Sequence, residues 1–472
     1  MESIPSSLEQ AFDPEQFRKL GHDVVDRLAN HLTDWLDRKP DEAIPWESPA
    51  SSLERWSDLA PIEMQTLFES VIDHSVKLHH PRFMGHQISP SLPIAAVAGL
   101  VTDLLNNGMG VYEMGIAGTA IENTVVKATA AKLGFDQGAD GFLTSGGSLA
   151  NLTALVAAFE QLPTTTAPAQ VAILVSEQAH YCVTRSAHLL GVEPEGIIRV
   201  ATNDRYQMDL SAMRDACSRA EDAGRKIIAV VGSACSTSTG SFDDLTGIGD
   251  FCRAKGIWFH VDGAHGAAMA FSKKYRHKVA GIELADSVAM DFHKMLLTPA
   301  IISALIFRDE QKSYQSFRQK ADYLWSQSSE DHEWFNLAKR TFECTKSMMG
   351  LKVYSIIRAH GFEVFDESVT RVVDLAQAFG TLIEERQDFG LAVSPETNIV
   401  CFRYAPEDQQ ELSRINQEIR QRLLEEGRHY IVQTTLEGQT WLRTTIANPL
   451  TELRDLNDLL ERIEQIGQAK CC

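Results

Sequence analysis

From about residue 91 onward, short β-branched runs alternate with helical stretches, and no other feature limits the fold as strongly. The runs are "VAILVSEQ", "GIIRVA", "KIIAVVGSA", "GIWFHVDGA", "SVAMDFH" and "SALIF", with "LANLTALVAAFEQL" and "LTGIGDFCRAKG" as helices between them. Strands that are apolar throughout and separated by helices fit a mainly parallel sheet covered on both faces, because the crossover helices shield both sides. Ligands of such sheets bind at the carboxyl ends of the strands. In this chain polar residues and glycines gather at those ends.

Three units are expected. Residues 1–90 form an amphipathic helical segment, with Phe17, Leu20, Val24, Leu28, Leu32 and Trp35 at three- and four-residue steps. They have little core of their own, so they pack on another element or another subunit. Residues 91–350 form the large sheet unit. Residues 351–472 form a smaller α/β unit, with helices such as "VVDLAQAFGTLIEER", a strand pair in "LAVSPETNIVCFRYAP" and a strand in "TWLRTTIAN". A chain of 472 residues is too long for one core.

The formal net charge of −20 argues against nucleic acid and anionic membrane as partners. The eight cysteines are irregularly spaced and include the terminal Cys471 and Cys472; they read as free thiols in a reducing compartment. "MESIPSSLEQAFDPEQF" has no basic start and no apolar core, and "LPIAAVAGLVTDLL" is too short to span a bilayer. The expectation is a cytoplasmic protein.

The stretch "AMDFHKML" sets Lys294, with Asp291 and His293, between apolar flanks. A lysine buried there loses charge by desolvation, and a neutral amine is a nucleophile. In "LTSGGSLANLTAL", Gly147 and Ser148 stand at a helix start, where free N–H groups and hydroxyls favour a phosphate. His180 follows the strand "VAILVS" and suits stacking on a flat ligand. Ser233, Ser236 and Thr237 supply hydroxyls after "KIIAVV". Asp262 ends the strand "IWFHVD" and, if buried, requires a positive partner, while Ala264 leaves room for something flat. Each piece alone is equally a cap, a turn or a core residue. Together they describe a phosphate cradle, a stacking ring, a carboxylate seeking a cation and a buried amine, and pyridoxal 5'-phosphate needs all four. A metal site at His79, His80 and His86 is the rival, weakened by Pro81 and by the lack of an acidic residue to complete it.

The same residues, with "HPRFMGHQ", "SEQAHYCVTR", "HVDGAHG", "YLW" and "LRTTIANP", make the chain resemble the group II pyridoxal-phosphate-dependent amino acid decarboxylases over nearly its whole length. That family includes glutamate, cysteine sulfinate, aromatic amino acid, histidine and 2,4-diaminobutyrate decarboxylases, on the aspartate aminotransferase type of fold (fold type I). The resemblance implies that Gly147 and Ser148 bind the cofactor phosphate with Ser233 near it, and that His180 stacks on the ring. It implies that Asp262 pairs with the ring nitrogen and Ala264 packs on the ring. Lys294 becomes the Schiff-base lysine, with His293 beside it. Tyr323 matches a loop tyrosine that returns a proton to the substrate, Arg443 the arginine that binds its α-carboxylate, and His86 a side-chain-recognition position. Asp291 stands where many members have Asn, and His265 where an aromatic residue is common. The expected reaction is decarboxylation of an L-amino acid to its amine and CO2 in a homodimer. Oxidative deamination to an aldehyde, or transamination, is the alternative on the same cofactor, and Tyr323 favours plain decarboxylation. The sequence does not select the amino acid.

Overall fold

A computed structural model describes residues 4–163, 166–317, 333–407 and 410–471. Seven apolar runs pair into one sheet: β1 (Asp140–Thr144), β2 (Val171–Ser176), β3 (Ile197–Val200), β4 (Lys226–Ser233), β5 (Trp258–Asp262), β6 (Ser287–Asp291) and β7 (Ser303–Phe307). Their order is β1-β7-β6-β5-β4-β2-β3. The pairings β3–β2, β2–β4, β4–β5 and β5–β6 are parallel, and β7 runs antiparallel to both β6 and β1. The sheet is therefore mainly parallel, as the alternation predicts.

Both faces are covered. Along β2, Val171, Ile173 and Val175 point into one core, which includes Ala154 of the helix Gly147–Phe159 and Val183 of the helix Tyr181–Leu189. Ala172 and Leu174 point into the opposite core, with Met213 of the helix Leu210–Asp222 and Ile248 of the helix Leu245–Lys255. Two-residue periodicity on a sheet buried on both sides leaves no polar face, and that is why these strands read as unbroken apolar runs.

A second sheet holds β8 (Phe389–Leu391), β9 (Ile399–Tyr404), β10 (Val432–Leu436) and β11 (Gln439–Thr445), all antiparallel, in the order β10-β11-β9-β8. The helices Glu363–Glu384, Leu412–Glu426 and Leu453–Cys471 contribute Phe379, Ile419, Leu459 and Ile463 to a core with Phe402 and Leu442 of this sheet. The N-terminal helix Pro14–Leu36 begins at Asp13, whose side chain accepts from Glu15 N at 2.9 Å. It buries no residue within the chain.

Candidate active site

The parallel strands bring their carboxyl ends to one level. Ser233 of β4 is in register with Asp262 of β5, and Asp262 with Ala289, two residues before the end of β6. Beside them β1 ends at Thr144, and the chain turns through Ser145 and Gly146 into the helix that starts at Gly147. Gly146 has φ +131°, a conformation that side chains resist. A Cβ at Gly147 would lie 3.0 Å from an Asp291 oxygen and 3.3 Å from Ala264 Cβ, so only glycine keeps this floor open. No side chain caps the helix, which leaves its first N–H groups for an anion.

Asp262 is 8% exposed. Its Oδ1 accepts from Ala264 N at 3.3 Å, and among the described residues it forms no ion pair. Below it, His260 lies on the same side of β5. Its Nε2 is 2.7 Å from Asn151 Oδ1 and its Nδ1 2.9 Å from Ser287 Oγ. Burial pushes His260 down to about 4, with Asp262 opposing, so this neutral ring supplies Asp262 with no charge. His180 caps the helix Tyr181–Leu189, its Nδ1 accepting from Cys182 N at 3.4 Å, which leaves the Nε2 side for the cavity. Burial lowers its pKa, and Asp262 opposes.

Lys294 sits in a single helical turn, Phe292–Met295, directly after β6. Its Nζ is 2.9 Å from Asp291 Oδ2, and the Ser303 hydroxyl donates to Asp291 Oδ1. Burial lowers the lysine pKa, but Asp291 outweighs it and the net direction is upward. Asp291, three residues earlier and 2.9 Å from Nζ, thus opposes the lowering by burial that the apolar flanks led one to expect. His293 turns its Nδ1 to the backbone of Ile302, accepting from N at 3.2 Å, and its Nε2 is 3.7 Å from Asp291 Oδ2.

Gly147, Ser148, His180, Ser233, Asp262, Ala264, His293 and Lys294 line one cavity of about 280 Å³. Arg443, on β11, reaches its edge by donating to Thr237 O at 2.8 Å, since Thr237 lines the same cavity. Its Nε is buried without a hydrogen-bond partner. His86 lies outside the cavity lining, its ring 5.9 Å from that of Tyr430. Tyr323 lies outside the described residues. The three histidines weighed for a metal are engaged separately: His79 Nε2 bonds Ser91 O at 2.8 Å, and His80 Nδ1 accepts from Arg82 N at 3.1 Å. Among the described residues no group of three or more His, Cys, Asp or Glu side chains has the geometry to hold a metal ion.

The sequence reading missed Asn151 and His260, which support the floor beneath Asp262. A signal existed, because His260 is two residues before Asp262 and so shares its face of the strand. It also missed Cys235 and Ile301 in the lining.

These residues suit pyridoxal 5'-phosphate: an uncapped helix start for the phosphate, a carboxylate without a cation for the ring nitrogen, an amine for the aldehyde, and a floor on which any Cβ would intrude. The comparisons with known proteins agree. Cysteine sulfinic acid decarboxylase from Rattus norvegicus is 28% identical, covering 97% of each chain. Aromatic-L-amino-acid decarboxylase from Bacillus atrophaeus is 26% identical, covering 96% of each. The crystal structure of mouse CSAD superposes with a TM-score of 0.88 at 26% identity, covering 96% of this chain and 99% of that one. The pyridoxal-dependent decarboxylase conserved domain matches residues 56–405, a span that contains every residue of the cavity, and the chain belongs to that family of enzymes.

Proposed function

We propose that this cavity removes CO2 from an L-amino acid to leave the amine, with Lys294, Asp262, His180 and Arg443 as its working side chains. The observation that carries the assignment is Asp262, a buried carboxylate with no ion pair among the described residues, sharing a cavity with Lys294 and an open glycine floor. When bound, the cofactor supplies an aldehyde for the amino group and a protonated ring that accepts the electron pair left as CO2 departs.

Asp262 favours the positive ring nitrogen by charge, in a site where little water competes. His180 and Ala264 would flank the cofactor ring, and Gly147 and Ser148 would hold its phosphate at the helix start. Arg443 keeps Nε and the rest of its fork for the substrate α-carboxylate, because only one N–H is used on Thr237 O. Asp291 holds Lys294 Nζ at the cavity floor. Tyr323, in the polar stretch "KADYLWSQSSEDHEWF", is assigned the proton returned to the α-carbon. We read the protein as a cytoplasmic homodimer, supported by Cys182, Cys217, Cys235, Cys252, Cys344 and Cys401 being free and by apolar side chains exposed on the helices Pro14–Leu36 and Pro93–Leu105. No described helix is long and apolar enough to cross a membrane.

Amine and CO2 measured side by side test the reaction, with equal amounts expected from the wild type. Asp262→Asn is expected to keep the cofactor, read by its absorbance, and to lose turnover by roughly two orders of magnitude or more. Near-normal turnover at full occupancy would overturn the role of Asp262. Mainly aldehyde and peroxide from the wild type would overturn the reaction.

A further inference from the structure

Three consecutive residues just before β9 fasten the small sheet to the large one. Glu396 pairs with Arg205 at 2.6 Å and with Lys278 at 3.0 Å, and its Oε2 accepts from Phe242 N at 3.4 Å. Thr397 packs against Gly240 in the loop after β4, where an added Cβ would collide with the threonine side chain. Asn398, fully buried, meets His265 in the loop after β5. None of the residues in the first two contacts lines the cavity, whereas His265 does.

The polarity of the third contact is fixed at its far end. Asn398 Nδ2 donates to Ile446 O at 3.1 Å. A carbonyl can only accept, so the amide nitrogen faces Ile446 and Oδ1 faces His265. His265 Nε2, 2.6 Å from that oxygen, therefore carries the proton and donates it. Burial, and then the charge of Lys294, pushes His265 down to about 3, so the ring is neutral. Ile446 N returns a bond to Asn398 O at 2.8 Å. Ile446 directly follows β11 and lies three residues past Arg443, and Arg443 is in register with Cys401 of β9. β9 and β11 are thus one body, and His265 ties that body to the cavity at the strand end next to Arg443. The guanidinium itself is anchored to the large unit by Nη1 donating to Thr237 O at 2.8 Å.

We propose that His265 is a positioning residue for Arg443: through Asn398 it holds the end of β11 where the guanidinium can meet the substrate α-carboxylate. This rests on the decarboxylase reading, which gives Arg443 that carboxylate, and adds the side chain that sets its place. A guanidinium–carboxylate pair is directional, and a displacement of about 1 Å in such a contact costs up to about 10²-fold.

The test compares a ligand that carries an α-carboxylate with one that lacks it. The twenty L-amino acids, L-cysteine sulfinate and L-2,4-diaminobutyrate are screened on the purified holoenzyme for CO2 release. The fastest substrate is then compared with its own amine, used as a competitive inhibitor. His265→Leu and Asn398→Ala are each expected to raise KM for the amino acid at least about tenfold, while the inhibition constant of the amine stays within about twofold and the cofactor absorbance is unchanged. His265→Gln places an amide nitrogen the same number of bonds from the backbone and should recover most of the loss. The double variant His265→Leu with Asn398→Ala should have a KM no higher than either single one, because both break the same bond. Glu396→Gln loosens the docking of the two sheets elsewhere, so it should lower the melting temperature and leave the KM unchanged. Equal weakening of amino acid and amine would make His265 a packing residue and overturn the proposal. An unchanged KM in Asn398→Ala would also overturn it, since Asn398 lies outside the lining and a direct effect of His265 on the substrate would survive. Should His265→Leu fail to fold, Asn398→Ala and His265→Gln decide the matter. These outcomes leave decarboxylation standing, whereas a wild type that releases CO2 from no member of the screen would remove that reading and the proposal together.

Discussion

The charge of Lys294 is decided by the residue one helical turn before it. Burial alone would push the amine down, but Asp291, 2.9 Å away, brings it above its ordinary 10.5. An amine attacks only when neutral, so its reactivity at a given pH falls as its pKa rises. Asp291→Asn removes the raising charge and leaves the desolvation, so Lys294 should become less basic and more reactive near pH 8. Competitive acetylation of the cofactor-free protein across pH, read by mass spectrometry against exposed lysines, measures this directly. A shift of the Lys294 midpoint to lower pH is expected, and an unchanged midpoint would refute the pairing. The same raised pKa contributes stability that is complete below 10.5 and is lost as pH rises through the higher folded value. The sequence made the lysine conspicuous because an apolar run surrounds it. It did not reveal the charge state, which depends on how the turn after β6 folds Asp291 back against Nζ.

Elements whose apolar residues repeat along the chain were legible, and elements completed by distant partners were less so. The runs that became β2 and β4 to β7 stood out as strands because both their faces are buried, and β3, at the edge with Arg199 exposed, stood out by its isoleucines and valine. That β7 runs against its neighbours was not legible, since an apolar run carries no direction. β1 escaped notice as a strand because it opens with Asp140 and Gly141, and β10 because its middle residues are polar. Asp140 is explained by a residue 200 positions away: Arg340 Nη1 donates to its Oδ2 at 2.6 Å, both side chains nearly inaccessible. Arg340→Met would leave the buried Asp140 with only Lys127, 3.8 Å away, to offset its charge, and a loss of about 3 kcal/mol is expected in urea unfolding. Arg340→Met with Asp140→Leu should regain most of it. If the single variant loses less than about 1 kcal/mol, the pair is not what secures this edge of the sheet.

At the scale of the whole molecule, the site is a seam. Arg443 comes from the small sheet and donates to Thr237 in the loop after β4 of the large one, and His265 of the large unit bonds Asn398, just before β9, at 2.6 Å. A seam open on one side exposes whatever would cover it, and the helix Pro93–Leu105 is apolar on both its faces. Ala95, Ala98 and Thr102 are buried in the chain, whereas Val97, Leu100, Val101, Leu104 and Leu105 are exposed, Leu104 by 65%. Met114 and Ile116, close in sequence, are exposed as well. An apolar surface of this kind on a folded chain marks an interaction site, and a second copy of the chain is the partner proposed here. The homodimer predicts that Leu100→Asp together with Leu104→Asp, which place charges on that face and leave the buried face intact, yields a folded monomer of 52.4 kDa in light scattering, where the wild type gives twice that mass. Circular dichroism should be unchanged while turnover falls sharply, the dimer being the form proposed to be active. A wild type that is monomeric and fully active at the concentrations of the assay would refute the dimer and, with it, the role given to residues 1–90 as a subunit contact.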